Sequence, residues 1–456
     1  MISENENRTT EIRKQEADLK SIALQRQMEL AEEKLVARPK DINSKNVLIQ
    51  EANSGFAQES LQSKMLSIAR SVALKSQQAL LDPELKILLA CQAFRLNVKY
   101  KGESNDKDIY NGLYQALKSY QGSSYNVFRG HNDAVRSVHF LPGEYSFISS
   151  GDDGRILKWD GTDPSAGYSV ISERKNPVES IKITDDGKWL VCVEDKNGVL
   201  IFDFAGTGQA PKIIKDTDKD INVLALAPDS KTFYSAGSGN VIKYWDLPGG
   251  RSRHFAETQA HINSLALSPD GILLAGGTGD GKIIVWVTKG ETVSSIIFND
   301  SATSIQRVCF SPDYKFIAAG KNSGEILIFK VGNFEFFKTL QGHTAKITNT
   351  DFSPDGKTLA STSSDGKVLI WNTEDFTRPP IILDDHTGPV FTISFSSDGK
   401  YIVSGSAQED RLLIRPVNSD LLEEQASSLV GRDLTREEWK TYIGPDIQYE
   451  KMRKKE

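Results

Sequence analysis

Two sets of side chains in this sequence have the makings of a catalytic triad. They are His131, Ser149 and Asp153 and, at the same spacing further on, His343, Ser361 and Asp365. A serine beside an imidazole that a carboxylate orients is the arrangement for nucleophilic attack on a carbonyl. Other stretches have the outline of chemistry without its substance. Gly276, Gly277, Gly279 and Gly281 lead into Lys282 like a phosphate-cradling loop, but Ile283 stands where Ser or Thr is needed, and no helix is expected to follow. Asp216, Asp218 and Asp220 space like the start of a calcium loop, yet Ile221 takes the position that requires Gly and Ala227 the one that requires Glu. The patterns HExxH, CxxC and GxSxG are absent, and no histidines cluster as metal ligands. The chain reads as non-enzymatic, with no cofactor and no metal.

What must position these residues is a repeat. One pattern recurs seven times between about residue 126 and residue 418. Its clearest copy runs from His343 through the Pro354-Asp355-Gly356 turn to Trp371; another ends at Trp159, and weaker ones end at Phe202, Trp245, Trp286, Phe329 and near Arg415. The period is ~40–45 residues, the length of one four-stranded propeller blade. Each copy alternates apolar and polar positions in short runs parted by Asp-Gly turns, which predicts antiparallel hairpins. A lone blade cannot bury both faces, so the copies must stack around an axis. The expected fold is an all-β seven-bladed β-propeller over residues 123–418. The last copy stops after its third strand, and an orphan strand at 125–128 precedes the first. That strand is predicted to complete the last blade and remove two exposed edges.

Composition narrows the function. With 456 residues, 25% of them charged, and a net charge of −6, the sequence lacks the basic surplus that nucleic-acid binding requires. No apolar run approaches the ~18 residues of a membrane span, and no secretory signal is visible at the N-terminus. Cys91, Cys192 and Cys309 lie far apart and read as buried, reduced core residues. The expected compartment is the cytoplasm.

Residues 1–50 form a polar arm in which Ile12, Leu19, Ala23 and Leu30 follow a seam that Glu16 and Arg26 interrupt. They fit a short coiled coil, a solvated helix or disorder equally, and Pro39 ends any helix there. Residues 51–122 are a helical neck. Leu61, Met65, Ile68, Val72 and Ala79 share a face, Asp82-Pro83-Glu84 starts a second helix, and a third begins near Asp106. Self-association through these helices is an expectation.

The repeat resembles the WD-repeat family over about two thirds of the chain. The resemblance implies that His131, Ser149, Asp153 and Trp159, and likewise His343, Ser361, Asp365 and Trp371, are buried hydrogen-bonded braces rather than active sites. Other copies keep part of the set: His386 survives in the last, with Arg415 in place of Trp, and in the fourth the family's His falls on Thr258, leaving His261 exposed. The resemblance also implies a partner-docking top face. Carried over by register, it contains Arg136, Asp152, Glu179, Asn222, His261, Asn263, Gln306, Lys346, Thr348, Ser364 and Phe391. Arg136 and Phe391 are the expected anchors, since Arg and aromatic residues dominate interface energetics.

Residues 419–456 form a helical tail. Thr435 and Glu438 make a capping box, with Trp439 and Tyr442 on the apolar side. This tail, and the segments around Asp82 and Asp108, resemble the flanks of WD-repeat regions in bacterial signalling ATPases of the STAND type and in caspase-like relatives. That resemblance implies a protein-interaction scaffold or, as the alternative, a ligand-sensing subunit that controls a separate effector enzyme in signalling or defence.

Overall fold

A computed structural model describes residues 42–122, 125–194, 198–204, 211–215, 221–247, 249–289, 295–300, 303–408 and 410–451. The seam at Ile12, Leu19, Ala23 and Leu30, Pro39, and Asp216, Asp218 and Asp220 lie outside the described residues. The chain divides into two compact units, Met1–Ser67 and Ile68–Glu456.

Seven four-stranded antiparallel sheets make the propeller. The inner strands of blades 1 to 7 are Val135–Phe140, Val178–Ile183, Ile221–Leu226, Ile262–Leu267, Ile305–Phe310, Ile347–Phe352 and Val390–Phe395. Local chemistry sets the hairpins. Ser268, Ser311, Ser353 and Ser396 each donate to the Asp two residues on, at 2.6–2.7 Å, and accept the N–H five residues on, closing the turn. Gly356 and Gly399 follow with φ of 71°, the left-handed region that glycine enters freely. Ser230 and Tyr314 hold the equivalent place in blades 3 and 5 at φ of 55° and 62° and carry the strain of a side chain there.

Blade 7 is closed by the N-terminal strand Val127–Arg129, which pairs with Arg411–Pro416 so that Val127 faces Leu413 and Arg129 faces Arg411. Phe128 fills the resulting core with Phe147, Trp159, Leu412 and Ile414. Its ring meets Phe147 edge-on at 5.2 Å and Trp159 at 6.1 Å. Similar apolar cores lie between successive blades.

Helix α1 (Ile42–Ser76) opens the described chain. Helix α2 (Pro83–Lys99) starts at Asp82, whose carboxylate accepts the N–H groups of Glu84 and Leu85. Helix α3 (Lys107–Gln121) starts at Asp106, which caps Asp108 and Ile109 and also binds Arg70 Nε at 2.7 Å. Its buried Ile109, Leu113, Ala116 and Leu117 form one face. Gly112 permits close approach to α1, for a Cβ there would lie 3.0 Å from the Ala73 carbonyl oxygen. Helix α4 (Ser419–Leu429) joins this group through Arg95, which donates twice to Glu423 at 2.8 and 3.0 Å. Helix α5 (Arg436–Tyr442) has the reciprocal Thr435–Glu438 capping box, and its Trp439 is buried with Nε1 donating to the Ile447 carbonyl. Cys91 and Cys192 are buried, and the half-buried Cys309 packs against the apolar core between blades 5 and 6.

Candidate functional site

The apparent triads are closed braces. In blade 1 the His131 ring meets both Asp153 carboxylate oxygens through Nδ1 at 3.0 Å and Ser149 Oγ through Nε2 at 2.7 Å, and Trp159 Nε1 donates to the same Oγ at 2.7 Å. Blade 6 repeats this with His343, Asp365, Ser361 and Trp371 at 2.9–3.2 Å. Both serines are fully buried. Burial alone would raise the Asp365 carboxyl, but the hydrogen bonds from His343 and the Thr344 N–H outweigh it and hold it down to about 2. Asp153 is likewise held far below the ordinary carboxylate range, burial being overcome by His131 and the Asn132 N–H. With every polar atom matched and no access to the serine, these groups build the blades.

Blade 7 solves the same problem differently. Arg415, fully buried where Trp is expected, donates through Nη1 to Ser404 Oγ at 2.8 Å, and His386 Nε2 meets that oxygen at 2.8 Å. Its Nε approaches Asp385 at 3.5 Å. Tyr114 of α3 also donates to Asp385, and Tyr110 donates to the Pro416 carbonyl at 2.6 Å. The arginine thereby ties the neck to the last blade.

The face expected to dock partners has a backbone cause. In every blade the ladder between the inner strand and its neighbour shifts after the first inner residue. The bulged residues are Arg136, Glu179, Asn222, Asn263, Gln306, Thr348 and Phe391, and a bulge re-aims the side chain it carries. Arg136 donates to both carboxylate oxygens of Asp152, at 2.7 and 2.5 Å, and lies over the Phe391 ring at 4.6 Å. The two expected anchors therefore touch, across blades 1 and 7, in a cation–π contact already shaped before any partner arrives. Asn263 and Gln306 both donate to Ser304 Oγ, at 2.9 and 2.8 Å. Asn222 and Glu179 are exposed, Ser364 is half-buried, and the exposed Lys346 is depressed by burial and by the nearby Arg307. His261 is exposed with its ring over Gly279, where a Cβ would overlap it at 2.1 Å. Thr348 departs from the expected rim: it is buried, bonded to Thr362 Oγ1 at 2.9 Å and to the Val390 carbonyl.

Sequence reasoning missed a second cluster, on the axis. The fifth residues of the inner strands are His139, Lys182, Ala225, Ala266, Cys309, Asp351 and Ser394, and Arg307 stands at a third position. Burial drives Lys182 down against the pull of Asp351, with Arg307 adding repulsion. Asp351 is pushed up to about 6 by burial, which the Lys182 charge only partly opposes. Arg307 falls to about 10 through burial, although Nη1 donates to the carbonyls of Asn263 and Gln306. His139 is held well below its ordinary value by burial and then by Lys182. Cys309, burial-raised to about 12, is a thiol that donates to Thr350 rather than a nucleophile. Among the described residues no three His, Cys, Asp or Glu side chains are placed to hold a metal, and no described helix is long and apolar enough to cross a membrane.

Blades with this closure and these braces define a WD-repeat propeller. The WD domain, G-beta repeat, matches residues 122–160 and 378–413. The echinoderm microtubule-associated protein second beta-propeller matches residues 221–381. Among individual proteins, the chain is similar to Autophagy-related protein 16 of Arabidopsis thaliana, 22% identical over 267 residues that cover 49% of this chain and 52% of that protein. It is similar to Protein LST8 homolog of Drosophila melanogaster, 29% identical over 29% of this chain and 43% of that protein. It is similar also to Apoptotic protease-activating factor 1 of Danio rerio, 23% identical over 54% of this chain and 23% of that protein. The matched segments thus span about half or less of these relatives' lengths.

Proposed function

We propose that this chain is a non-enzymatic, cytoplasmic interaction scaffold whose propeller docks a protein partner on the bulged face. The observation that supports it is the repeated bulge, which in blade after blade releases one inner-strand side chain from the ladder and brings Arg136 against Phe391. Arg136, Asp152, Glu179, Asn222, His261, Asn263, Gln306, Lys346, Ser364 and Phe391 form the proposed contact set; Thr348 supports it from below. The likeness to a protease-activating factor supports a signalling or defence setting, and the resemblance of the neck and tail to STAND-type flanks supports a bacterial one. Helix α1 exposes Phe56 and Leu61 at 45% and 51%, which supports self-association through the N-terminal helices.

The test is affinity capture from native-host lysate with the intact chain and with Arg136→Ala/Phe391→Ala. A protein kept by the first and lost by the folded double variant is the expected result; equal retention contradicts the assignment of the face. The axial charges favour a second reading, in which the chain is the ligand-sensing subunit of a separate effector enzyme.

A further inference from the structure

We propose that the outer edge of blade 5 is a homodimer interface, in which strand Glu335–Leu340 pairs antiparallel with the same strand of a second copy. This surface is separate from the bulged face and from the N-terminal helices. Phe316 pairs with Lys330 and Lys330 with Glu335, which puts the start of the strand at the end of the blade away from Gln306.

The strand is six residues long and pairs only with Ile326–Lys330, so its other edge is open among the described residues. It exposes Phe336 at 55% and Phe337 at 44%. Phe336 pairs with Phe329 and Lys338 with Ile328, which makes Phe337 the extra residue of a bulge. The two rings therefore part. Phe336 lies 5.9 Å from Phe329 on the side of blade 4, where Phe298 meets Phe329 at 4.9 Å. Phe337 lies 5.6 Å from Phe316 and 6.2 Å from Phe376, on the side of blade 6. An open edge with aromatic rings on both faces suits an added strand, whose own side chains alternate between those faces.

Charge selects a second copy as that strand. Glu335 is opposite Lys330 and Lys338 is opposite Ile328, two residues apart on the neighbouring strand, so both charges stand on one face. A two-fold axis through the middle of the strand, perpendicular to its sheet, sets Glu335 of each copy against Lys338 of the other. Phe336 of each copy then lies on the opposite face, beside the axis. Lys338 makes no ion pair with any described residue, and Glu335 holds only Asn333 Nδ2, at 3.0 Å. The other outer strands lack this combination. Those of blades 6 and 7, Ile381–Leu383 and Val127–Arg129, have three residues each. That of blade 2, Lys212–Lys215, has lysine at both ends, and that of blade 3, Ser252–Glu257, exposes Arg253 and His254. Short or charged edges resist pairing with another chain. The outer strands of blades 1 and 4, Tyr168–Glu173 and Ser295–Asp300, contain no basic residue to match their acidic ends.

The experiment is sedimentation equilibrium of the full chain in a Phe56→Ser/Leu61→Ser background, which removes the exposed apolar side chains of α1 from the measurement. A reversible monomer–dimer equilibrium with Kd on the order of 10 µM is expected, since one edge pairing is smaller than a standard interface. Glu335→Lys and Lys338→Glu each set like charges against one another twice and should weaken the dimer by about tenfold or more. Mixing these two single variants should restore association, because each then meets the opposite charge. The double variant Glu335→Lys/Lys338→Glu should dimerise alone. These side chains are at the surface, so the variants are expected to fold, checked by thermal unfolding. A chain that stays monomeric up to about 100 µM overturns the proposal. So does a dimer indifferent to Glu335→Lys, or a mixture of the single variants that fails to associate.

Discussion

Blade 6 carries two carboxylates that the fold treats in opposite ways. Asp365, in the brace, is held down to about 2 by His343 and a backbone N–H despite its burial. Asp351, on the axis, is pushed up to about 6 because burial outweighs what Lys182 returns. Asp351 lies on the inner strand, paired with Ala360, and Asp365 lies in the turn that follows the neighbouring strand at Ser363. The brace has a partner for every charge, whereas the channel leaves charges under-compensated. A satisfied polar network stabilises and is closed to chemistry; an unsatisfied one is where a ligand gains most. The blade 7 brace is an intermediate case, in which Arg415 keeps the serine bond but adds a charge that needs Asp385 and the neck tyrosines around it.

The largest break in this comparison is expected from Arg415→Ala. It leaves the buried Asp385 only the more distant Lys118, at 3.9 Å, and empties a large volume, so urea unfolding should show a loss of about 3–5 kcal/mol. Arg415→Lys should recover little, since one ammonium cannot reach Ser404 and Asp385 as the fork does.

Asp365→Asn should cost about 2 kcal/mol at pH 7. A carboxylate whose folded value is depressed contributes stability above its unfolded value, lost as pH falls. Stability curves of wild type and variant should therefore converge between about pH 4 and pH 2. Asp351→Asn should do the reverse. Its folded value is raised, so the folded state favours the protonated form and the group's ionisation works against folding as pH rises from about 4 through 6. The variant should be more stable than wild type by about 1–2 kcal/mol above pH 7 and equal to it below about pH 4. The smallest effect is expected at the turn of blade 3. Ser230→Gly relieves a left-handed residue and should raise stability by about 1 kcal/mol or less, read by thermal unfolding.

The repeat was legible in the sequence because a blade is local: its alternation, its Asp-Gly turns and its His, Ser, Asp and Trp lie within one period. So was the exposure of His261, which follows from counting back from Leu267. The bulged face could be placed by register, though not its energetics; that Arg136 touches Phe391 depends on blades 1 and 7 meeting. Thr348 was misplaced for a similar reason, because the carbonyl that buries it belongs to the next blade. Arg415 was visible as an oddity, but its meaning required Tyr114 and Asp385 from other elements. The axial cluster was illegible altogether. Lys182, Arg307 and Asp351 are unremarkable strand residues until closure brings separate blades to one axis.

The most direct measurement is carboxyl NMR of aspartate-labelled protein, with the two resonances assigned by Asp351→Asn and Asp365→Asn. The account predicts that Asp351 titrates near 6, while Asp365 stays ionised down to about 2. Titration of Asp351 near the ordinary carboxylate value of about 4 would contradict it, for the channel would then be as well compensated as the brace.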